Sequence, residues 1–159
     1  MNPSPTVEEV AAALIRVFEG LRLTAYRDSG GVWTIGYGHT GPEVQEGLTI
    51  TLVQAQAHLK EDSSKLFAAV EGYNILTAAA LVSFGYNCGL GALERVLMGH
   101  SHITDFIHDK HGNELAGLVS RRALEEILIS LDSMEGRQEQ GVRSTIVVFW
   151  VCTNFIKVR

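Results

Sequence analysis

The chain has 159 residues, 46% hydrophobic and 19% charged, with a net charge of −5. That size points to one domain with enough chain to bury a real core. The composition argues against disorder, and the acidic balance disfavours nucleic acid as a partner.

The first element is announced by Thr6 and Glu9, which fit a capping box behind Pro5. Before them, MNPSPTVEEV shows neither a basic start nor an apolar core, so no secretory signal is expected. Val7, Val10, Ala11, Leu14, Ile15 and Phe18 recur at helical spacing and predict a core-facing helix ending at Glu19. Gly20 follows, where the chain must turn. A carboxylate at a helix C-terminus stands on the unfavourable side of the macrodipole, which with partial burial helps it hold a proton. The plainer alternative is a solvated surface glutamate.

From Leu23 the pattern changes. Tyr26 and Arg27 lead into the turn sequence Asp28-Ser29-Gly30-Gly31. Trp33, Ile35 and Tyr37 then alternate with Thr34, Gly36 and Gly38, as a strand does. A β-hairpin is expected. Its glycines allow a polymer close to the backbone, and its aromatic residues either stack on sugar faces or fill the hairpin's own core. Glu19 and Asp28, on different elements, suit cleavage of a glycosidic bond: one gives a proton and the other acts on the opposite face of the sugar. The Thr34 hydroxyl can hold a water there. His39, just past the strand, reads as structural.

Thr51 and Gln54 offer a second capping box, opening a helix through about Val70. Leu52, Ala55, Leu59, Leu66 and Phe67 are spaced to bury one side, and Glu61, Asp62 and Lys65 to coat the other. Ala78–Phe84 is nearly all apolar and predicts the central buried helix. Asn87 either terminates it or faces a cleft. Leu93–Met98 reads as a short helix. His100, His102, His108 and His111 lack the spacing of a metal motif and read as solvated. Gly117–Ser130 predicts a last helix, with Leu118, Ala123, Leu124, Ile127, Leu128 and Leu131 on its apolar side. Arg121 and Arg122 face a cleft or coat the surface.

Residues 131–143 are polar, and Ser144–Arg159 reads as a buried helix, a strand or an exposed apolar tail. The apolar run Thr145–Ile156 falls short of the ~20 residues that span a bilayer. Cys88 and Cys152, far apart in sequence, form no metal motif and read as ordinary reduced thiols.

The segment from Glu19 to His39, E-G-L-R-L-x-x-Y-x-D-x-x-G-x-x-T-I-G-Y-G-H, resembles the signature of phage-type lysozymes, the endolysins of glycoside hydrolase family 24. Gly38–Leu59, Ala80–Leu93 and Leu115–Leu128 are similar to later parts of that family, in the same order. The resemblance implies an α+β, mainly helical, two-lobed lysozyme-like fold. A small β-hairpin lobe, about residues 20–50, and a helical lobe, about 72–132, would flank a cleft. Residues 1–132 would form the catalytic domain, and 133–159 an unmatched C-terminal extension.

The resemblance also implies hydrolysis of the β-1,4 bond between N-acetylmuramic acid and N-acetylglucosamine in peptidoglycan, with inversion. Glu19 would be the general acid, Asp28 its partner and Thr34 the residue that positions water. Tyr37, Thr40, Phe84, Asn87 and Arg121 would bind substrate, with Arg121 where the family carries a basic residue near the acid. Inversion would place the carboxyl groups ~6.5–9.5 Å apart, room for a water. No metal or organic cofactor is expected. The partner would be the peptidoglycan strand, the chain a monomer in the host cytoplasm, and access to the wall dependent on a holin. A non-catalytic peptidoglycan-binding protein and a lytic transglycosylase are the alternative readings.

Overall fold

A computed structural model describes residues 4–135 of the chain. Residues 136–159, with Cys152 and most of the expected extension, lie outside the described residues. Helix α1 spans Val7–Glu19, and both halves of its expected capping box are made. The Thr6 hydroxyl accepts from the Glu9 backbone N–H at 3.2 Å, and the Glu9 carboxylate accepts from the Thr6 N–H at 2.8 Å. Val10, Ala11, Leu14 and Ile15 are its buried stripe. Gly20 stops it at φ 68°, a left-handed value that glycine tolerates without a Cβ penalty.

Strands β1 (Arg22–Arg27) and β2 (Trp33–Gly36) form the expected antiparallel hairpin. Tyr26 pairs with Thr34, and Arg27 with Trp33. Each arginine of β1 lies over a ring: Arg22 on Tyr26 and Arg27 on Trp33, both 4.5 Å from the ring centroid. Such cation–π contacts stiffen the ladder from outside. The segment after β2 returns along the other edge of β1, where Ala25 N–H bonds to Leu48 C=O and Ile50 N–H to Leu23 C=O, both at 2.9 Å.

One feature of the hairpin differs from its sequence pattern. Thr34, Ile35, Gly36 and Tyr37 are all buried. Alternation therefore does not separate an inner from an outer face here. Strand β2 packs on the helix that follows, with Gly36 close to Ala55 and Ile50.

Helix α2 (Leu52–Ala69) starts at the second expected capping box. Its buried stripe is Ala55, Leu59, Ser63 and Leu66. Leu52, expected inside, is exposed at the first turn. The polar Ser63 takes a buried place instead, donating its hydroxyl to the Leu59 carbonyl at 2.7 Å. Helix α3 runs Ile75–Cys88, longer at both ends than its apolar centre, with Leu76 and every residue from Ala78 to Gly85 buried. It is the central element, packed by α1, α2, α4 (Leu90–Leu97) and α5 (Ala116–Glu135). Gly85 lets it sit tightly, since a Cβ there would meet the Leu66 and Leu93 side chains at 2.9 and 3.0 Å.

The histidine-bearing stretch holds a single turn of 3-10 helix, Ile103–Asp105. His100, His102, His108 and His111 are all exposed. Helix α5 is longer than expected and crosses the anticipated boundary at 132. Its buried side also departs from the apolar count. Leu124 and Leu128 are inside, but Ala123 and Ile127 are exposed, and Arg121, Arg122 and Glu125 take the interior positions. Of the two expected places for these arginines, this burial rules out the surface.

Candidate active site

Glu19 sits on the last residue of α1, with its side chain 24% exposed. Arg121 of α5, only 3% exposed, reaches it with Nη1 at 2.5 Å from Oε1. The other Glu19 oxygen lies on the side of Gly38, where an added Cβ would stand 3.9 Å from Oε2. At φ 99° Gly38 holds a conformation unfavourable for other residues. The acid thus stands where α1, α5 and the end of the hairpin meet.

The Arg121 guanidinium is fixed on its remaining sides. Nη2 donates to the Ser83 carbonyl at 2.8 Å and more weakly to its hydroxyl at 3.3 Å; Nε donates to Glu125 Oε1 at 3.2 Å. Phe18 supports the plane, with its ring centroid 5.0 Å from the guanidinium carbon. Glu125, 0% exposed, also accepts from the Ser83 hydroxyl at 2.7 Å and from Arg122 Nη2 at 3.2 Å. Its second oxygen faces Arg122 Nε at 2.8 Å, outside good hydrogen-bond alignment. Burial pushes the Glu125 carboxyl up, while Arg122, the Ser83 hydroxyl and Arg121 pull it back in part. Arg122 is itself enclosed, lying over the Phe84 ring and donating to Cys88 Sγ at 3.0 Å. Burial pushes the Cys88 thiol up despite that guanidinium.

Asp28 is built differently. It is exposed at the hairpin tip, and Oδ1 accepts from the backbone N–H of Gly30 and of Val32, each at 2.8 Å. Oδ2 takes no part in either of these bonds. The Val32 carbonyl in turn accepts from Asp28 N–H at 3.0 Å and from the Thr34 hydroxyl at 3.1 Å. Val32 is therefore the joint that ties Asp28 to Thr34. Thr34 is 4% exposed. Its one hydroxyl proton is committed to Val32, so toward a water it can act only as acceptor.

The expected substrate-binding residues divide. Arg121 lies at the acid, as a buried anchor rather than a surface contact. Thr40 and Asn87 are exposed and available. Phe84 is 0% exposed, packed edge-on against Phe106 with centroids 5.0 Å apart, and offers no face to a sugar. Tyr37 is also buried, with Arg16 near its ring and its backbone carbonyl accepting from the Tyr86 hydroxyl at 2.9 Å. Burial, with Asp62 and Glu19 nearby, pushes the Tyr86 phenol well up and keeps it a donor. Both corrections share a cause: aromatic residues on a central helix or an enclosed strand are taken by the core.

His39 is structural, as read from sequence. It stacks on His58 at 4.0 Å, with Nδ1 2.9 Å from Asp62 and Nε2 2.7 Å from Glu43. Asp62, expected merely to coat α2, is thus an anchor for the hairpin lobe. Burial lowers the His39 pKa, but the two carboxylates outweigh it and the net shift is upward.

Sequence reasoning missed Val32, Ser83 and Glu125. Val32 and Ser83 act through backbone groups or a single hydroxyl, which carry no sequence signature. Glu125 did leave one: opposite charges three and four residues after Arg122 and Arg121 share a helix face.

A carboxyl group thus meets a buried guanidinium between a small hairpin and a helical body. The phage lysozyme family model matches residues 16–125, and the chain belongs to that family. It is 36% identical over 144 residues to an endolysin of Bacillus phage PZA, a match that spans 78% of this chain and 55% of that one. The chain spans about half the length of the curated relatives it matches first. Among solved structures, the endolysin of Escherichia coli O157:H7 phage FAHEc1 superimposes with TM-score 0.65 at 29% identity, covering 80% of this chain and 95% of that one. The muramidase domain of SpmX from Asticaccaulis excentricus gives TM-score 0.63 at 32% identity, covering 77% and 96%.

Proposed function

We propose that the chain is a muramidase that hydrolyses the β-1,4 bond between N-acetylmuramic acid and N-acetylglucosamine in peptidoglycan, as an endolysin acting in host-cell lysis. The observation that carries this reading is the Glu19–Arg121 pair. A carboxyl group at the junction of helix and hairpin is held by one oxygen, while the other stays on the open Gly38 side. The endolysin and muramidase names of its relatives support the same activity.

The chemistry follows from the two carboxylates. Glu19 donates a proton from Oε2 to the leaving glycosidic oxygen while Oε1 remains on Arg121. The anion that forms is met by a guanidinium already in place, which lowers the cost of charge separation. Asp28, fixed by Oδ1, uses Oδ2 to take a proton from a water attacking the far face of the sugar. Thr34 accepts a hydrogen bond from that water. Attack from the face opposite the leaving group inverts the anomeric centre. Thr40 and Asn87 are the exposed candidates for contacting the glycan.

Among the described residues no helix is long and apolar enough to cross a membrane. Passage to the wall through a separate pore-forming holin is a further part of this proposal.

Incubating the protein with purified peptidoglycan and analysing the products tests the reading. Released fragments with reducing ends, initially of inverted anomeric form by NMR, are expected. Anhydro-muramic ends would make the protein a lytic transglycosylase, and binding without release would make it a wall-binding module. Glu19→Gln keeps an acceptor for Arg121 but has no proton to give, and should lower the rate about 10²–10⁴-fold.

A further inference from the structure

Glu125 is a fully enclosed charged group that the chemistry above does not use. Burying ions is costly, and apolar side chains of equal volume often serve a core at least as well. Its placement therefore calls for a reason beyond packing. The two arginines and Glu125 lie at i, i+1 and i+4 on α5, one face of the helix, turned toward Ser83 on α3. Every polar neighbour of the carboxylate is a donor: the Ser83 hydroxyl, Arg121 Nε and Arg122 Nη2 on Oε1, and Arg122 Nε facing Oε2. That surrounding suits an ionised carboxylate.

We propose that Glu125 is a positioning residue for the reaction: it locks Arg121 in the orientation that meets Glu19, and it cancels one of the two positive charges beside that acid. This inference rests on the muramidase reading.

The geometry gives Arg121 three anchored contacts behind it and one free hand. Nε and Nη2 are tied to Glu125 and Ser83, so only Nη1 reaches forward to Glu19. Charge makes the second contribution. With Glu19 protonated and ready to act, the four-residue cluster carries two positive charges and one negative. Without Glu125 it would carry two uncompensated positive charges, which would disfavour the protonated acid. The other titratable groups facing the cluster belong to α3: Cys88, which contacts Arg122, and Tyr86, which faces Glu19 and Arg121 and is neutral at ordinary pH. Neither supplies the negative charge that Glu125 does.

The test compares the parent, Glu125→Gln and Ser83→Ala on a soluble peptidoglycan oligosaccharide, with kcat, KM and the pH profile measured for each. Circular dichroism checks folding. The expectation for Glu125→Gln is a KM within about twofold of the parent. Its alkaline limb should move about one pH unit lower, so that kcat at neutral pH falls about tenfold. Ser83→Ala removes one donor from Glu125 and one contact from Arg121 at a helix site that alanine suits, and should move the limb the same way by less. In an Arg121→Met background only the charge left on Arg122 remains to act, so Glu125→Gln should shift the limb by less than it does in the parent.

If Glu125→Gln does not fold, Ser83→Ala decides. A profile that superimposes on the parent's in the folded variants overturns the proposal while leaving the muramidase reading intact. A parent that releases no fragments at any pH removes both.

Discussion

The two carboxylates assigned to one reaction live in opposite surroundings. Asp28 stands on an exposed turn, and its bonding partners lie two and four residues away along the backbone. Glu19 is half-enclosed, and its partner Arg121 is 102 positions distant in sequence. The first arrangement is a local property of a short peptide segment. The second exists only when α1, α3 and α5 have packed. In the proposed mechanism the group that parts with a proton is the one held by the deep, long-range cluster, and the group that accepts one from water is the one at the wet tip. Such a difference of environment is what the proposed division of roles between two carboxyl groups requires.

That contrast can be broken in graded ways. The largest effect is expected at the hairpin tip itself. Asp28→Asn preserves an oxygen acceptor for Gly30 and Val32, so urea unfolding should change by less than about 1 kcal/mol. The rate of glycan cleavage should nonetheless fall about 10²–10⁴-fold, since the proton acceptor is gone. Equal losses of stability and activity would mean that the tip is not separable from the rest of the fold.

The long-range region should behave in the reverse manner. Arg122→Met removes one buried partner of Glu125 and should cost about 3 kcal/mol in denaturant unfolding. Its activity, measured well below the midpoint, should fall less steeply than that of Asp28→Asn. Helix capping provides a control remote from both regions: Thr6→Ala should lower stability by about 1 kcal/mol without altering kcat.

The smallest expected effect tests how the hairpin lobe is tied to α2. The His39 pKa is raised above its ordinary 6.5 by Glu43 and Asp62 acting against burial. Its imidazolium contribution is therefore complete below that value and is lost as pH rises through the raised one. Thermal unfolding midpoints should decline over that interval for the parent. In His39→Asn that part of the pH dependence should vanish.

Much of this architecture was legible in the chain. Both capping boxes, the hairpin turn and the apolar centre of α3 were readable because each depends on residues within a few positions of one another. The turn chemistry around Asp28 belongs to the same class, since the Asp and Gly residues define it. The helix ends were read short on α3 and α5, where continued packing sustains turns that apolar periodicity alone does not announce.

The sequence by itself determined the elements and the hairpin, and with them the positions of Glu19 at a helix end and Asp28 in a turn, because helical periodicity, capping and turn formation act over short stretches of backbone. Only the tertiary structure decided which side chains reach the site. It enclosed Phe84 and Tyr37, which composition would offer to a sugar. It turned Arg121, Arg122 and Glu125 inward, where charge would suggest a surface, and it made Asp62 an anchor. Those outcomes depend on which helices face one another, and so on contacts between residues scores of positions apart, where burial and ion pairing compete across the whole fold.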